Sequence, residues 1–222
     1  MCGRYATTGP ISRYQAHFDA ELLQLDFKPR YNAAPTQMLP VVRQSIDGRR
    51  ILTSAQWGLV PSWAKPDAKL PKPINAQAET AALKPMFRHA FRMSRVLVPA
   101  DHFYEWKVVA GRKQPMLIRL RSSEPMGFAG LLEHSPDGSG TFTILTVPPN
   151  EMMREIHNRM PAIVWPRDYA HWLDPLLTDV EQIHTMLSPY PSEQMEAWPI
   201  STRVNSTRNE GAELMEPISA FC

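Results

Sequence analysis

The residue with the most distinctive chemistry is the second, Cys2. Methionine aminopeptidases remove an initiator Met1 when the next side chain is small, and cysteine qualifies. Removal exposes an α-amine and a thiol on one residue, with reference pKa values of about 8 and about 8.5. Near pH 7, roughly a tenth of the amine and a few per cent of the thiol are in the nucleophilic form. Such a 1,2-aminothiol has a specific partner, an aldehyde. The amine condenses to an imine, the thiol adds to the same carbon, and a five-membered thiazolidine results. An internal cysteine or lysine lacks one of the two groups. Position alone leaves a second reading equally open, that Cys2 is merely a small residue at a frayed terminus.

The 222 residues suffice for one sizeable domain, and a single domain spanning 1–222 is predicted. The other cysteine, Cys222, stands at the far end of the chain. Two cysteines without close spacing argue against a cysteine-rich zinc site and a disulfide scaffold. No His, Cys and carboxylate cluster has ligand spacing, so neither a metal nor an organic cofactor is implied. Met-Cys-Gly-Arg-Tyr opens no apolar run, so no signal peptide is predicted. No stretch approaches the ~20 apolar residues of a membrane-spanning helix. A reducing cytoplasm is the expected location, with Cys2 a free thiol and the protein a monomer. The net charge of +2 fits nucleic-acid binding only if the positive side chains cluster.

With 22 prolines against 10 glycines, long helices are disfavoured and short strands and loops favoured. Tyr14, Phe18, Leu22 and Leu25 lie on one helical face, predicting a helix over Ser12–Leu25. Leu39–Arg43 and Ile51–Val60 read as strands joined by a hairpin at Asp47-Gly48. A proline- and lysine-rich loop covers 61–73. Helical composition resumes from Ala76 to Arg92, divided at Pro85. Val96–Ala100, Met116–Leu120, Gly127–Leu132, Phe142–Val147 and Ala162–Trp165 read as strands, and Asn150 as the cap of a helix from Glu151. Helices are predicted near Asp168–Leu173 and Val180–Leu187. The fold class is α+β: a strand-rich, barrel-like core of curved antiparallel sheets with peripheral helices.

Seven segments then occur in one order. They are Met1-Cys2-Gly3-Arg4-Tyr5, Arg30-Tyr31-Asn32-Ala33-Ala34-Pro35-Thr36, Trp57-Gly58-Leu59-Val60-Pro61-Ser62-Trp63 and Ile74-Asn75-Ala76-Gln77-Ala78-Glu79-Thr80. The last three are Val98 to Lys107, His157-Asn158-Arg159-Met160-Pro161 and Val204 to Gly211. With them the sequence resembles the SRAP family, the abasic-site-processing proteins first named SOS-response-associated peptidases. The resemblance implies that Cys2 crosslinks to the ring-opened sugar aldehyde of an abasic site in single-stranded DNA, protecting it from strand cleavage. It also implies that Asn75, Glu105 and His157 complete the active site. Those residue types suit the task. A carboxylate or imidazole can shuttle the proton that expels water, and His157 could protonate the sugar ring oxygen. The Asn75 amide offers a donor and an acceptor, although it could equally cap a helix starting at Ala76.

Single-stranded DNA needs cations for phosphates and flat side chains for bases. The candidates are Arg4 beside the nucleophile, Asn32, Trp63 in its lysine-rich loop, Arg159 beside His157, and Arg88 on the helix after Asn75. Trp63 could equally anchor its loop on the core, and Arg88 could lie on a solvated helix face. Three positions depart from the usual family pattern. Gln77 stands in place of an arginine, removing one phosphate contact. His102 stands in place of a glycine, narrowing a loop near Glu105. Val96 stands in place of a frequent cysteine. Two further enzyme classes fit Cys2: a class II glutamine amidotransferase, which also opens Met-Cys-Gly, and a thiol peptidase using Cys2, His157 and Glu105 or Asn75. A non-catalytic single-strand binding module is the remaining alternative.

Overall fold

The computed structural model describes residues 2–23, 26–65, 69–134 and 139–218. Met1, Leu25 and Cys222 lie outside them, as do residues 66–68 of the proline- and lysine-rich loop. The first half of the chain carries strand β1 (Arg4–Thr7), helix α1 (Ile11–Phe18) and strands β2 (Glu21–Leu22), β3 (Arg30–Ala33), β4 (Met38–Gln44), β5 (Arg50–Trp57) and β6 (Asn75–Gln77). Short helices α2 (Ala78–Ala81) and α3 (Arg88–Met93) follow. Then come the longer strands β7 (Arg95–Ala100), β8 (His102–Val109), β9 (Arg112–Leu120), β10 (Met126–His134) and β11 (Gly140–Val147). Helix α4 (Glu151–Arg154), strands β12 (Met160–Pro161) and β13 (Ile163–Val164), helices α5 (Tyr169–Leu173) and α6 (Val180–Thr185), and strand β14 (Met195–Pro199) complete the strands and α-helices of the described residues.

The strands β5, β4, β7, β10 and β11 are hydrogen-bonded in that order. β11 then pairs in parallel with β5, Thr141 facing Gln56 and Phe142 facing Trp57, which closes a five-stranded barrel. A second, antiparallel sheet runs β14-β9-β8-β1-β3. Tyr5 of β1 joins the two layers. Its ring meets Trp57 edge-on at 5.2 Å and Phe128 at 6.0 Å, and Trp57 stacks on Phe142 at 6.2 Å. All four rings are fully buried, and hydrophobic transfer alone stabilises each by about 3 kcal/mol. The architecture is therefore the strand-rich α+β barrel that the sequence predicts. No helix of the described residues is long and apolar enough to cross a membrane.

The helix predicted over Ser12–Leu25 stops at Phe18. Asp19 takes the left-handed conformation with φ 49°, and the Ala20 N–H returns to the Gln15 carbonyl. Leu22 then pairs with Leu52 in β2, so its apolar spacing from Phe18 reflects a strand edge. The hairpin at Asp47-Gly48 forms with Gly48 at φ 85°, and Asn150 caps α4 by accepting the Met153 N–H at 2.8 Å. Asn75 caps nothing. It lies in β6, paired in parallel with Ile144 of β11, and Gln77 occupies the cap position of α2 without a side-chain bond.

His102 also corrects an expectation. It narrows no loop but opens β8, paired with Ala6 and Arg119 and 3% exposed. Tyr104 Oη donates to the Tyr31 carbonyl at 2.7 Å, so it accepts the N–H of His102 Nε2 at 2.8 Å. Burial holds the imidazole down to about 4. The folded protein therefore binds fewer protons at this site than the unfolded chain, whose histidine titrates near 6.5. The associated stability is full above about pH 6.5 and is lost progressively as pH falls to about 4. The loss amounts to about 3 kcal/mol. Thermal melts between pH 7 and 4 are expected to show this acid limb. In His102→Gln, which keeps a donor for Tyr104, the limb should be shallower by that amount; an unchanged limb would refute the assignment.

Candidate functional site

The β1–β8 register brings the nucleophile to its neighbour. Arg4 pairs with Tyr104, Tyr5 with Phe103 and Ala6 with His102. Continued toward the N-terminus, that antiparallel register sets Gly3 against Glu105 and Cys2 against Trp106. Cys2 is fully buried at this end of the sheet, its Sγ 3.7 Å from the Arg4 carbonyl. Burial, and after it the negative charge of Glu105, push the Cys2 thiol well above its ordinary range. The thiol is thus held protonated beside a buried carboxylate, Glu105 being 2% exposed.

Glu105 and His157 line one cleft of about 550 Å³, together with Trp106, Val108, Lys113 and Asn205. That volume suits a small molecule or one unit of a polymer. His157 follows α4, its backbone N–H bonded to the Met153 carbonyl at 2.7 Å. Its Nδ1 lies 3.1 Å from the Arg159 N–H and 3.3 Å from the Arg159 carbonyl. An amide N–H can only donate, so neutral His157 carries its proton on Nε2.

Arg159 is tied to Glu79 of α2 by two parallel bonds of 2.7 and 2.8 Å. This fork links the Asn75 segment to the His157 loop. Both polar atoms of the Asn75 side chain are buried with no hydrogen-bond partner among the described residues. An unsatisfied buried amide group costs about 1–3 kcal/mol, and a native structure retains one where a ligand completes it. Gln77, two residues on and therefore on the same strand face, is exposed.

The candidates for DNA contact separate into three places. Arg4 is half-buried; its Nη1 donates to Asn32 Oδ1 at 2.7 Å and the Val204 carbonyl at 2.8 Å, and its Nη2 to the Asn205 carbonyl at 3.1 Å. Asn32 is fully buried, its Nδ2 bonded to the carbonyls of Val204, Ser206 and Asn209. The structure thus gives Asn32 a positioning task inside the protein in place of an open surface. Arg159 is likewise committed to Glu79. Trp63, 59% exposed, and Arg88 share a different cleft of about 480 Å³ with Ser62, Pro85 and His89. Buried Glu133 braces this second cleft, accepting the Ser62 N–H at 3.3 Å and facing His89 at 3.4 Å. Sequence reasoning missed Val108, Lys113 and Asn205. The Asn205 signal was present in the Val204–Gly211 segment; Val108 and Lys113 belong to no motif.

The chain is similar to several known proteins. The chain is 40% identical to the abasic site processing protein YoqW of Bacillus subtilis, over 97% of this chain and 99% of that one. It is 29% identical to the abasic site processing protein YedK of Escherichia coli, over 98% and 100%. It is 31% identical to the abasic site processing protein HMCES of Gallus gallus, over 98% and 78%. The fold matches a crystal structure of a protein from Bacteroides thetaiotaomicron with a TM-score of 0.87 at 23% identity, covering 98% of this chain and 100% of that one. The profile of the SOS response associated peptidase (SRAP) family matches residues 1–207. The chain belongs to that family.

Proposed function

We propose that this protein processes abasic sites by covalent capture. After Met1 is removed, Cys2 takes the ring-opened aldehyde of an abasic site in single-stranded DNA into a thiazolidine. The observation that carries this reading is the Cys2 thiol, buried and held protonated beside Glu105. A thiol peptidase or glutamine amidotransferase attacks with a thiolate and needs the thiol pKa pulled down. Here it is pushed up, which favours chemistry led by the amine. The names of the related proteins support the same substrate.

The steps balance without a co-reactant. The Cys2 amine adds to the aldehyde carbon, and loss of one water leaves an imine. The S–H then adds across the C=N bond, sulfur to carbon and hydrogen to nitrogen. His157 in its Nε2–H form donates as the sugar ring opens and water leaves. Glu105 relays the thiol hydrogen, taking it from sulfur and passing it to the nitrogen as the C–S bond forms. The open Asn75 amide holds a sugar hydroxyl.

The test is a denaturing gel of protein shown by intact mass to begin at Cys2, incubated with a single strand carrying one abasic site. A band that survives heat is expected, absent with Cys2→Ala and with undamaged DNA. Absence of that band from correctly processed protein would sink the proposal and bring the peptidase and amidotransferase readings forward.

A further inference from the structure

We propose that the β8–β9 hairpin is the arm of this site that tracks phosphates, through Arg112 and Lys113. The inference rests on the single-stranded DNA reading above and names the surface that holds the strand. The cations beside the nucleophile and beside His157 in the chain are already occupied: Arg4 on Asn32 and two carbonyls, Arg159 on Glu79. The hairpin supplies cations that are not. Lys113 lines the cleft with Glu105 and His157. Arg112 and Lys113 are exposed, and neither forms an ion pair among the described residues. Lys107, on the same hairpin, meets Glu155 at 3.9 Å across a largely exposed contact. Such a pair contributes little and exchanges readily for a phosphate.

The hairpin is built to hold these charges still. Val109 pairs with Arg112 across a two-residue turn in which Ala110 and Gly111 both take positive φ, 48° and 77°. That geometry matches the twist of the strands. From Glu105 to Val109, β8 runs about 14 Å at strand spacing, so the arm reaches outward from the buried carboxylate. Val108, the exposed cross-strand partner of Lys113, adds apolar surface on the cleft side, and Arg112, one residue from Lys113 along β9, lies on the other face with Lys107. The tip thus presents a cation on each face, so a strand crossing it meets Lys113 beside the cleft, where the aldehyde must sit, and Arg112 as it leaves.

The test measures non-covalent binding of an undamaged oligodeoxynucleotide strand over a range of salt. It compares wild type, the Arg112→Ala/Lys113→Ala double variant and Lys28→Ala, a remote exposed cation. Removing two phosphate contacts is expected to flatten the log–log salt slope by about 1.4, at ~0.7 per contact for single strands. Lys28→Ala should keep the wild-type slope. Covalent capture at subsaturating abasic DNA should slow in the double variant in step with its lost affinity, and should keep the wild-type rate in Lys28→Ala. A slope and affinity unchanged in the double variant would overturn the proposal. If the slope flattens but wild type forms no covalent band, the capture reading fails and the arm stands. If capture occurs without a slope change, the arm fails alone.

Discussion

Glu105→Gln is expected to slow covalent capture by about 10²- to 10⁴-fold, the contribution of a positioned general acid or base, while making the Cys2 thiol easier to ionise. The two effects run in opposite directions and have one source. Glu105 is buried, and its negative charge is the second largest influence, after burial, pushing the thiol upward. A neutral amide of the same shape removes that charge and leaves the burial. The thiol pKa should therefore fall toward, without reaching, the free-cysteine value of about 8.5.

Alkylation by a small iodoacetamide reagent against pH checks the sign. In a Cys222→Ser background Cys2 is the only thiol in the chain. The alkylation rate should begin its rise at lower pH in Glu105→Gln than in wild type. A thiol peptidase would lose activity in step with its thiolate. An amine-led aminothiol loses capture even though its thiolate becomes more available. A Glu105→Gln variant that captured abasic DNA at the wild-type rate would remove the carboxylate from the mechanism. One with an unshifted alkylation profile would remove it from the environment of Cys2.

What could be read from the sequence divides along a physical line. Groups whose role is set by their own chemistry and local segment stood out: the Cys2 aminothiol, the Asp47-Gly48 turn, the Asn150 cap. Roles set by contacts across the chain did not. The barrel closes because β11 returns to β5, joining Thr141 to Gln56, and no local pattern encodes so distant a pairing. Asn75 precedes an alanine-rich run and resembles a helix cap, yet the ladder to β11 claims its backbone. Arg4 and Asn32 have the donors of phosphate ligands, but their partners are carbonyls 172 to 201 residues away. A backbone carbonyl leaves no trace in residue identity, so a buried tether and a surface ligand look alike until the chain is folded. Arg112 and Lys113 are the converse: ordinary residues in a hairpin tip, made significant by a cleft that other segments complete.

Asn32→Ala is expected to cost about 3 kcal/mol of stability and to loosen the cleft wall built by Asn205. Asn32 Oδ1 accepts from Arg4, and its Nδ2 faces the carbonyls of Val204, Ser206 and Asn209 at 3.2, 2.9 and 3.1 Å. Truncation leaves one guanidinium hydrogen and several buried carbonyls short of partners, each group costing about 1–3 kcal/mol. In a chain of this length about 3 kcal/mol lowers the melting temperature by about 6–12 °C. Asn205 receives the Trp106 Nε1–H at 2.8 Å, so release of its loop also frees Trp106 and widens the pocket before Glu105. The isosteric Asn32→Asp discriminates between tether and DNA ligand. It keeps the acceptor for Arg4 but turns an oxygen toward three carbonyls, and should destabilise at least as much as alanine. Hydrogen exchange across 201–209 should accelerate in both variants. If Asn32 instead contacted DNA directly, both variants would melt like wild type and lose only affinity for the strand, a result incompatible with the bonds that close this loop over the site.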